Sequence, residues 1–211
     1  KIIILKMSAI SRASLEEEIY LRSLTGYLVG KNLLDGFKKV AVITYPDRIC
    51  SAMSAALLTS FISQYGYKSE AGMVFTYEEN KLSEISEKIA KGGYDVVYLS
   101  LGGEQKMSSV SEMTKKIVEA LKRSNYKGAL AIHVRAWLAT KQLSNVLSEK
   151  ELKDYLMSLK EIRVFTADLQ NRLFLFHKVK IEDTPKLTKF KEEKLTEEHV
   201  KLLQISLPPP E

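Results

Sequence analysis

The residues best placed to do chemistry in this chain lie in Tyr45-Pro46-Asp47-Arg48, a polar turn between the apolar run Val40 to Thr44 and the small-residue run opening Ile49-Cys50-Ser51-Ala52. A strand that passes through such a turn into a helix puts the turn at the strand's carboxyl end, where open α/β sheets bind ligands. The turn offers one carboxylate, Asp47, beside one guanidinium, Arg48. The neighbouring strand ends would add Thr76-Tyr77, Ser100-Leu101-Gly102-Gly103-Glu104 and His133-Val134-Arg135. A two-metal phosphoryl-transfer site needs several carboxylates and imidazoles to hold its ions. Asp47, Glu104 and His133 are too few for two ions and thin for one.

Other chemistries find little support. Gly102-Gly103 fits neither the dinucleotide glycine pattern nor the P-loop and reads as a tight turn. No Gly-x-Ser-x-Gly elbow nominates a nucleophile. His133, His177 and His199 are scattered and read as structural or solvated. Trp137, Tyr45 and Tyr77 are of a type that stacks on bases, with packing the plainer reading. Cys50, at a helix start, reads as a buried small hydrophobe.

The elements that would position these residues follow from periodicity. Leu15, Ile19, Leu24 and Leu28 predict an amphipathic helix after Ser14, with helical spacing continuing through Leu33, Leu34 and Phe37. A strand from Val40 to Tyr45 precedes a helix from Ile49 to Tyr65 with Ile49, Met53, Ala56, Leu57 and Phe61 on one face, ended by Gly66. A strand near 72–75 leads to Thr76-Tyr77-Glu78-Glu79, a capping box for the helix of Leu82, Ile85 and Ile89. The run Val96 to Leu101 predicts a central strand, followed by the helix of Val110, Met113, Ile117, Val118 and Leu121 and a strand from Ala129 to Val134. Ser148 to Glu151 is a second capping box, and 162–167 with 172–180 form a hairpin across Asp168 to Asn171. Strands alternating with helices predict a doubly wound, mostly parallel α/β sheet, extended by that antiparallel hairpin. We expect 1–38 to hold an N-terminal edge strand and helices packed on the core, 39–184 the α/β domain, and 185–211 a charged, helical tail.

Composition bounds the class. A chain of 211 residues suffices for one well-buried core. One cysteine excludes a disulfide framework and a Cys-rich zinc site. No apolar run approaches the roughly 20 residues of a membrane span. The net charge of +6 is modest, and the tract holding Lys186, Lys189, Lys191, Lys194 and Lys201 is interleaved with Glu192, Glu193, Glu197 and Glu198. A solvated helix face is the expectation there, with single-stranded nucleic acid as the alternative partner through Arg48, Arg135, Lys189 and Lys191.

The run Ile43-Thr44-Tyr45-Pro46-Asp47-Arg48-Ile49-Cys50-Ser51-Ala52 resembles the first motif of the DHH phosphoesterase superfamily, the RecJ-like nucleases and their relatives, where a strand ends in His-x-Asp-x-Asp-Gly before a similar helix start. Tyr45 stands where the histidine would be, Asp47 matches the first acid, and Arg48 takes the place of the glycine. Ser100 stands where the next strand's metal-binding acid would be, and His133-Val134-Arg135 where the Asp-His-His would fall. The resemblance spans about Val40 to Arg135 and implies a DHH-like fold that has lost its metals and its activity, without cofactor. It is similar to the degenerate archaeal RecJ-like proteins that join GINS and the MCM helicase. It therefore implies a non-catalytic replication scaffold in the cytoplasm, near the nucleoid, with GINS as direct partner and MCM through it. The alternative is a metal-dependent phosphoesterase using Asp47, Glu104 and His133.

Overall fold

The computed structural model describes residues 12–66, 70 and 72–206. The expected N-terminal strand falls outside them. The chain runs α1 (Leu15–Asn32), β1 (Val40–Thr44), α2 (Arg48–Tyr65), β2 (Gly72–Thr76), α3 (Leu82–Lys91), β3 (Val96–Ser100), α4 (Met107–Arg123), β4 (Ala129–Ile132), α5 (Val134–Ala139), α6 (Ser144–Leu147), α7 (Lys150–Ser158), β5 (Glu161–Asp168), β6 (Leu173–Lys180), β7 (Lys186–Lys194) and α8 (Glu197–Ile205). It is a mixed α/β fold around one seven-stranded sheet of order β2-β1-β3-β4-β5-β6-β7. The pairs from β2 through β5 are parallel, and β5-β6 and β6-β7 are antiparallel.

Strand alternation sends side chains to two cores. Val40, Val42, Val96, Tyr98, Ala129 and Ala131 join Val29 of α1, Met53, Leu57 and Phe61 of α2, and Val200 of α8. Ala41, Ile43, Val97, Leu99, Leu130 and Ile132 face the residues of α3, α4, α5 and α7 on the other side. Strands covered on both faces read as continuous apolar runs, and β1 and β3 do.

Helix α1 departs from its predicted face. Its buried residues are Glu18, Leu21, Arg22, Thr25, Gly26, Val29, Gly30 and Asn32, while Leu15, Ile19, Leu24 and Leu28 are only half-buried. The cause is its close crossing with α2. A Cβ on Gly26 would stand 2.4 Å from the Met53 carbonyl oxygen, and one on Gly30 2.3 Å from that of Leu57. Only glycine lets the two backbones approach so closely. Ser14 caps α1 through a full capping box with Glu17.

Neither of the two predicted capping boxes further on forms. A 3-10 turn at Glu79–Lys81 precedes α3, whose start at Lys81 has no side-chain cap, and Glu149 rather than Ser148 precedes α7. Thr76 is instead the last residue of β2, paired in register with Thr44.

The charged tract is also corrected. Lys186–Lys194 is strand, not solvated helix, hydrogen-bonded along β6 with an irregularity at Phe176/His177. Tertiary partners decide this: Phe190 lies under the Arg163 guanidinium at 4.7 Å, and Glu193 accepts from Asn32 Nδ2 at 3.1 Å. The hairpin β5-β6 forms across Asp168 and Asn171 as predicted, but β6 is paired on both sides, so β7 takes the edge. Helix α8 then packs back on α1, with Thr196 as its cap and Ala13 N–H bonded to the Ile205 carbonyl.

Candidate functional site

With β2 on one side of β1 and β3 on the other, the strand order reverses between β1 and β3, which makes their carboxyl ends the expected ligand crevice. The chain fills that crevice itself. Asp47 caps α2: Oδ1 accepts from Cys50 N–H at 2.7 Å, and Oδ2 accepts from Glu104 N–H at 3.1 Å and from Gln105 Nε2. Gln105 Oε1 in turn accepts from Gly102 N–H at 2.8 Å. The loop after β3 is thus drawn over the end of β1. Gly102 turns it at φ +82°, and a Cβ on Gly103 would stand 2.5 Å from Asp47 Oδ1. Arg48 lies outside this knot, its Nη2 paired at 2.8 Å with Glu104, both well exposed.

Beneath Asp47, Ser54 Oγ lies 2.8 Å from the Cys50 carbonyl, 3.0 Å from Thr44 Oγ1 and 3.1 Å from Ser100 Oγ. Ser100 is therefore one member of a buried hydroxyl cluster tying β1, β3 and α2. Cys50 is buried, as the sequence implied, and burial followed by the nearby Asp47 pushes its thiol up to about 12. A thiol held protonated is no nucleophile. Tyr45 is half-buried, its ring 6.3 Å from that of Tyr77.

The second polar region lies at the carboxyl ends of β4 and β5, beneath α1 and α8. His133 caps α5: its Nδ1 accepts from Arg135 N–H at 3.0 Å. Burial, followed by the positive Arg22 and Arg135, pushes its pKa well below the usual imidazole value, so the ring is neutral. A neutral ring whose Nδ1 accepts must carry its proton on Nε2. That Nε2 is buried without a hydrogen-bond partner. His133 is 2% exposed, Arg22 3% and Arg135 8%.

Both guanidiniums converge on one carbonyl. Arg22 Nη2 donates to the Gly102 oxygen at 2.7 Å and Arg135 Nη1 to the same oxygen at 3.2 Å. Arg135 Nη2 also donates to Ser206 Oγ at 2.5 Å and pairs with Glu18 at 3.4 Å. Burial, then the adjacent Arg22, lowers Arg135 to about 10, still charged at neutral pH. These groups border a cavity of about 60 Å³ that is also lined by Leu21, Phe165, Phe174 and Leu203. Val134 also lines it, and Thr25 on its wall lies 3.1 Å from His199 Nε2.

Several sequence expectations need correction. Among the described residues no group of three or more His, Cys, Asp or Glu could hold a metal ion, so Asp47, Glu104 and His133 do not assemble the proposed one-metal centre. The four residues nominated for nucleic acid do not form a basic face: Arg135 is buried, Arg48 pairs with Glu104, Lys189 with Glu192 and Lys191 with Asp35. Arg22, Glu18, Gln105 and Ser206 went unnoticed in the sequence. The available signal was the Glu18 and Arg22 spacing, four apart on one face of α1.

Comparison with known proteins gives no match among curated proteins. Solved structures with similarity include an extracellular ligand-binding receptor from Verminephrobacter eiseniae, 14% identical over 74% of this chain and 38% of that one, with a TM-score of 0.45. A putative branched-chain amino acid ABC transporter protein from Rhodospirillum rubrum is 15% identical over 72% of this chain and 37% of that one, TM-score 0.43. LpoA from Haemophilus influenzae is 9% identical over 75% of this chain and 24% of that one, TM-score 0.43. The chain thus spans less than two fifths of the length of each of these proteins. The family model that matches the chain is not a DHH or RecJ-like one, which overturns the expected DHH membership and, with it, the replication role and the GINS and MCM partnership. A family model described as "Uncharacterized protein" matches residues 18–202, and the chain belongs to that family.

Proposed function

We propose that this chain is a non-catalytic ligand-binding domain whose site is the cavity between β4, β5, α1 and α8. The observation that carries the reading is a cavity bordered by His133 and by two buried guanidiniums, those of Arg22 and Arg135. Buried, charged donors of this kind make strong hydrogen bonds to an acceptor group brought between them. The absence of catalysis is inferred from how the reactive groups are committed. Asp47 accepts three N–H bonds, the Cys50 thiol is held protonated, and His133 Nδ1 accepts from the backbone. Among the described residues that line the cavity, no free base, nucleophile or paired acid is left.

The test is a thermal-shift panel of small carboxylates, amides, amino acids and sugars against the wild type and His133→Asn. Asparagine is a favoured N-cap, so this variant keeps the cap on α5, while its shorter amide places its N–H donors short of the position of Nε2 and removes the ring from the cavity wall. The expected result is a saturable rise in Tm for at least one compound that is lost in the variant, with the compound recovered chemically unchanged by NMR. A panel with no such compound, or one that is turned over, overturns the reading.

A further inference from the structure

Helix α1 carries apolar surface that the core does not use. Because Gly26 and Gly30 give its inner face to α2, Leu24 and Leu28 of the predicted stripe are left half-buried, and Tyr27 beside them is 51% exposed. These side chains, with Ala56 of α2 and Leu195 after β7, line a groove of about 470 Å³. That volume lies within the roughly 300–1,000 Å³ of small-molecule sites, and exposed lining residues leave it open to entry from solvent.

We propose that the groove between α1, α2 and the β7–α8 corner binds a medium-chain fatty acid, its alkyl chain on the leucines and Tyr27 and its carboxylate at Lys194. The site is separate from the inner cavity, and the proposal does not rest on that cavity having an occupant.

Charge selects this ligand. Lys194 is the one charged residue among the described residues that line the groove, it is exposed, and among the described residues it has no ion-pair partner. The acids around it are committed elsewhere: Glu193 to Lys31 and Asn32, Glu197 to Arg172, and Glu198 to the Tyr20 hydroxyl. Ser23, Thr59 and Thr196 add hydroxyls, and His199, lowered by burial to about 4, adds no charge at neutral pH. One cation in an otherwise apolar and hydroxyl-bearing lining complements a ligand with one negative charge and an apolar body. A second negative charge, as on a dicarboxylate or a phosphate ester, has nothing there to meet. Each methylene laid on such a surface tightens binding up to about fourfold, whereas an exposed ion pair contributes up to about fivefold in all. The alkyl chain therefore supplies most of the affinity, and Lys194 the choice of sign.

The experiment titrates the full chain with sodium hexanoate, octanoate and decanoate below their micellar concentrations, with octylammonium chloride as the cation of matched length, followed by amide shifts in NMR. Saturable octanoate binding is expected, tightening about two- to fourfold per methylene along the series, with shifts centred on Leu24, Tyr27, Thr59 and Thr196. Octylammonium should bind at least threefold more weakly, and Lys194→Gln should remove that preference. Ala56→Phe, which fills the groove, should weaken octanoate at least tenfold; if this variant does not fold, Lys194→Gln and the wild-type series decide alone. Octylammonium binding as tightly as octanoate, affinity independent of chain length, or a preference for the anion that survives Lys194→Gln each overturns the proposal. So does absence of octanoate binding up to about 100-fold molar excess. A dimer that Ala56→Phe dissociates would then assign the groove to a second copy, and binding to anionic lipid vesicles would assign it to a membrane surface. Shifts gathered instead around His133 and Phe165 overturn this site while supporting the inner cavity as the place of binding.

Discussion

The sheet ends in two polar clusters a few residues apart, and they differ in one respect. At β1 and β3, Asp47, Gln105, Ser54 and Ser100 satisfy one another and the loop backbone. At β4 and β5, Arg22 and Arg135 share the Gly102 carbonyl, and one His133 nitrogen is left without a partner. Residue type predicts the opposite, because a carboxylate in a strand-end turn is the usual mark of an active site, and a histidine after a strand is ordinary. What separates closure from binding is whether the donors and acceptors come out even. A cluster that closes its own bonds stabilises the fold, and one with a donor left over has something to offer a ligand.

The comparison breaks most visibly at Asp47. Asp47→Ala removes a helix cap and two further hydrogen bonds to a carboxylate, and should lower stability by about 3–4 kcal/mol in urea unfolding. A loss below about 1 kcal/mol would show that the knot holds nothing together.

Acid should act chiefly on the other cluster. His199, which backs the cavity through Thr25, is lowered by burial from 6.5 to about 4. A depressed folded-state pKa means the unfolded chain binds the proton first. The contribution is therefore complete above pH 6.5 and is lost as the pH falls towards 4, up to about 3 kcal/mol. Thermal unfolding from pH 7 to 4 should show this slope, and His199→Gln should reduce it without abolishing it, because His133 and His177 are lowered by burial as well; an unchanged slope would assign the acid sensitivity to those other groups.

Gly102→Ala addresses the seam between the clusters. It forces a Cβ into φ +82° and to 2.7 Å from Arg135 Cβ, and should cost about 2 kcal/mol by denaturant unfolding. The mildest expected effect is that of His133→Asn without ligand. The cap is kept, one unmet ring donor is exchanged for the amide's, and ring packing against Phe165 is lost, leaving a destabilisation of about 1 kcal/mol. A loss as large as that of Asp47→Ala would mean His133 is structural after all.

The sheet was legible because its strands are short apolar runs bounded by glycine and polar turns: 40–44, 96–100, 129–132 and the hairpin all fall where periodicity puts them. Strand β7 was not, because its charges and spacing suit a helix as well as an edge strand and its partners lie far away in sequence. The buried face of α1 misled for a related reason. Its stripe of Glu18, Arg22, Thr25, Gly26 and Gly30 is polar and small, and burial there follows from contact with α2 and the cavity, not from hydrophobicity. At the site, residue types were read correctly at Asp47 and His133, but their roles depend on who accepts from whom, which no spacing reveals. The likeness of 40–135 to a metal-binding motif was a likeness of strand-turn-helix build, a build shared by many unrelated proteins.

The edge strand bears on how the protein behaves in concentrated solution. A terminal strand with open backbone groups is a template onto which another copy can add, and lysines along it are a common deterrent. Lys186, Lys189, Lys191 and Lys194 all lie on β7. The basic tract therefore has a use that requires no partner. It keeps copies of the chain apart, so acetylation or neutral replacement of those lysines would be felt first as self-association and turbidity, before any change in the fold.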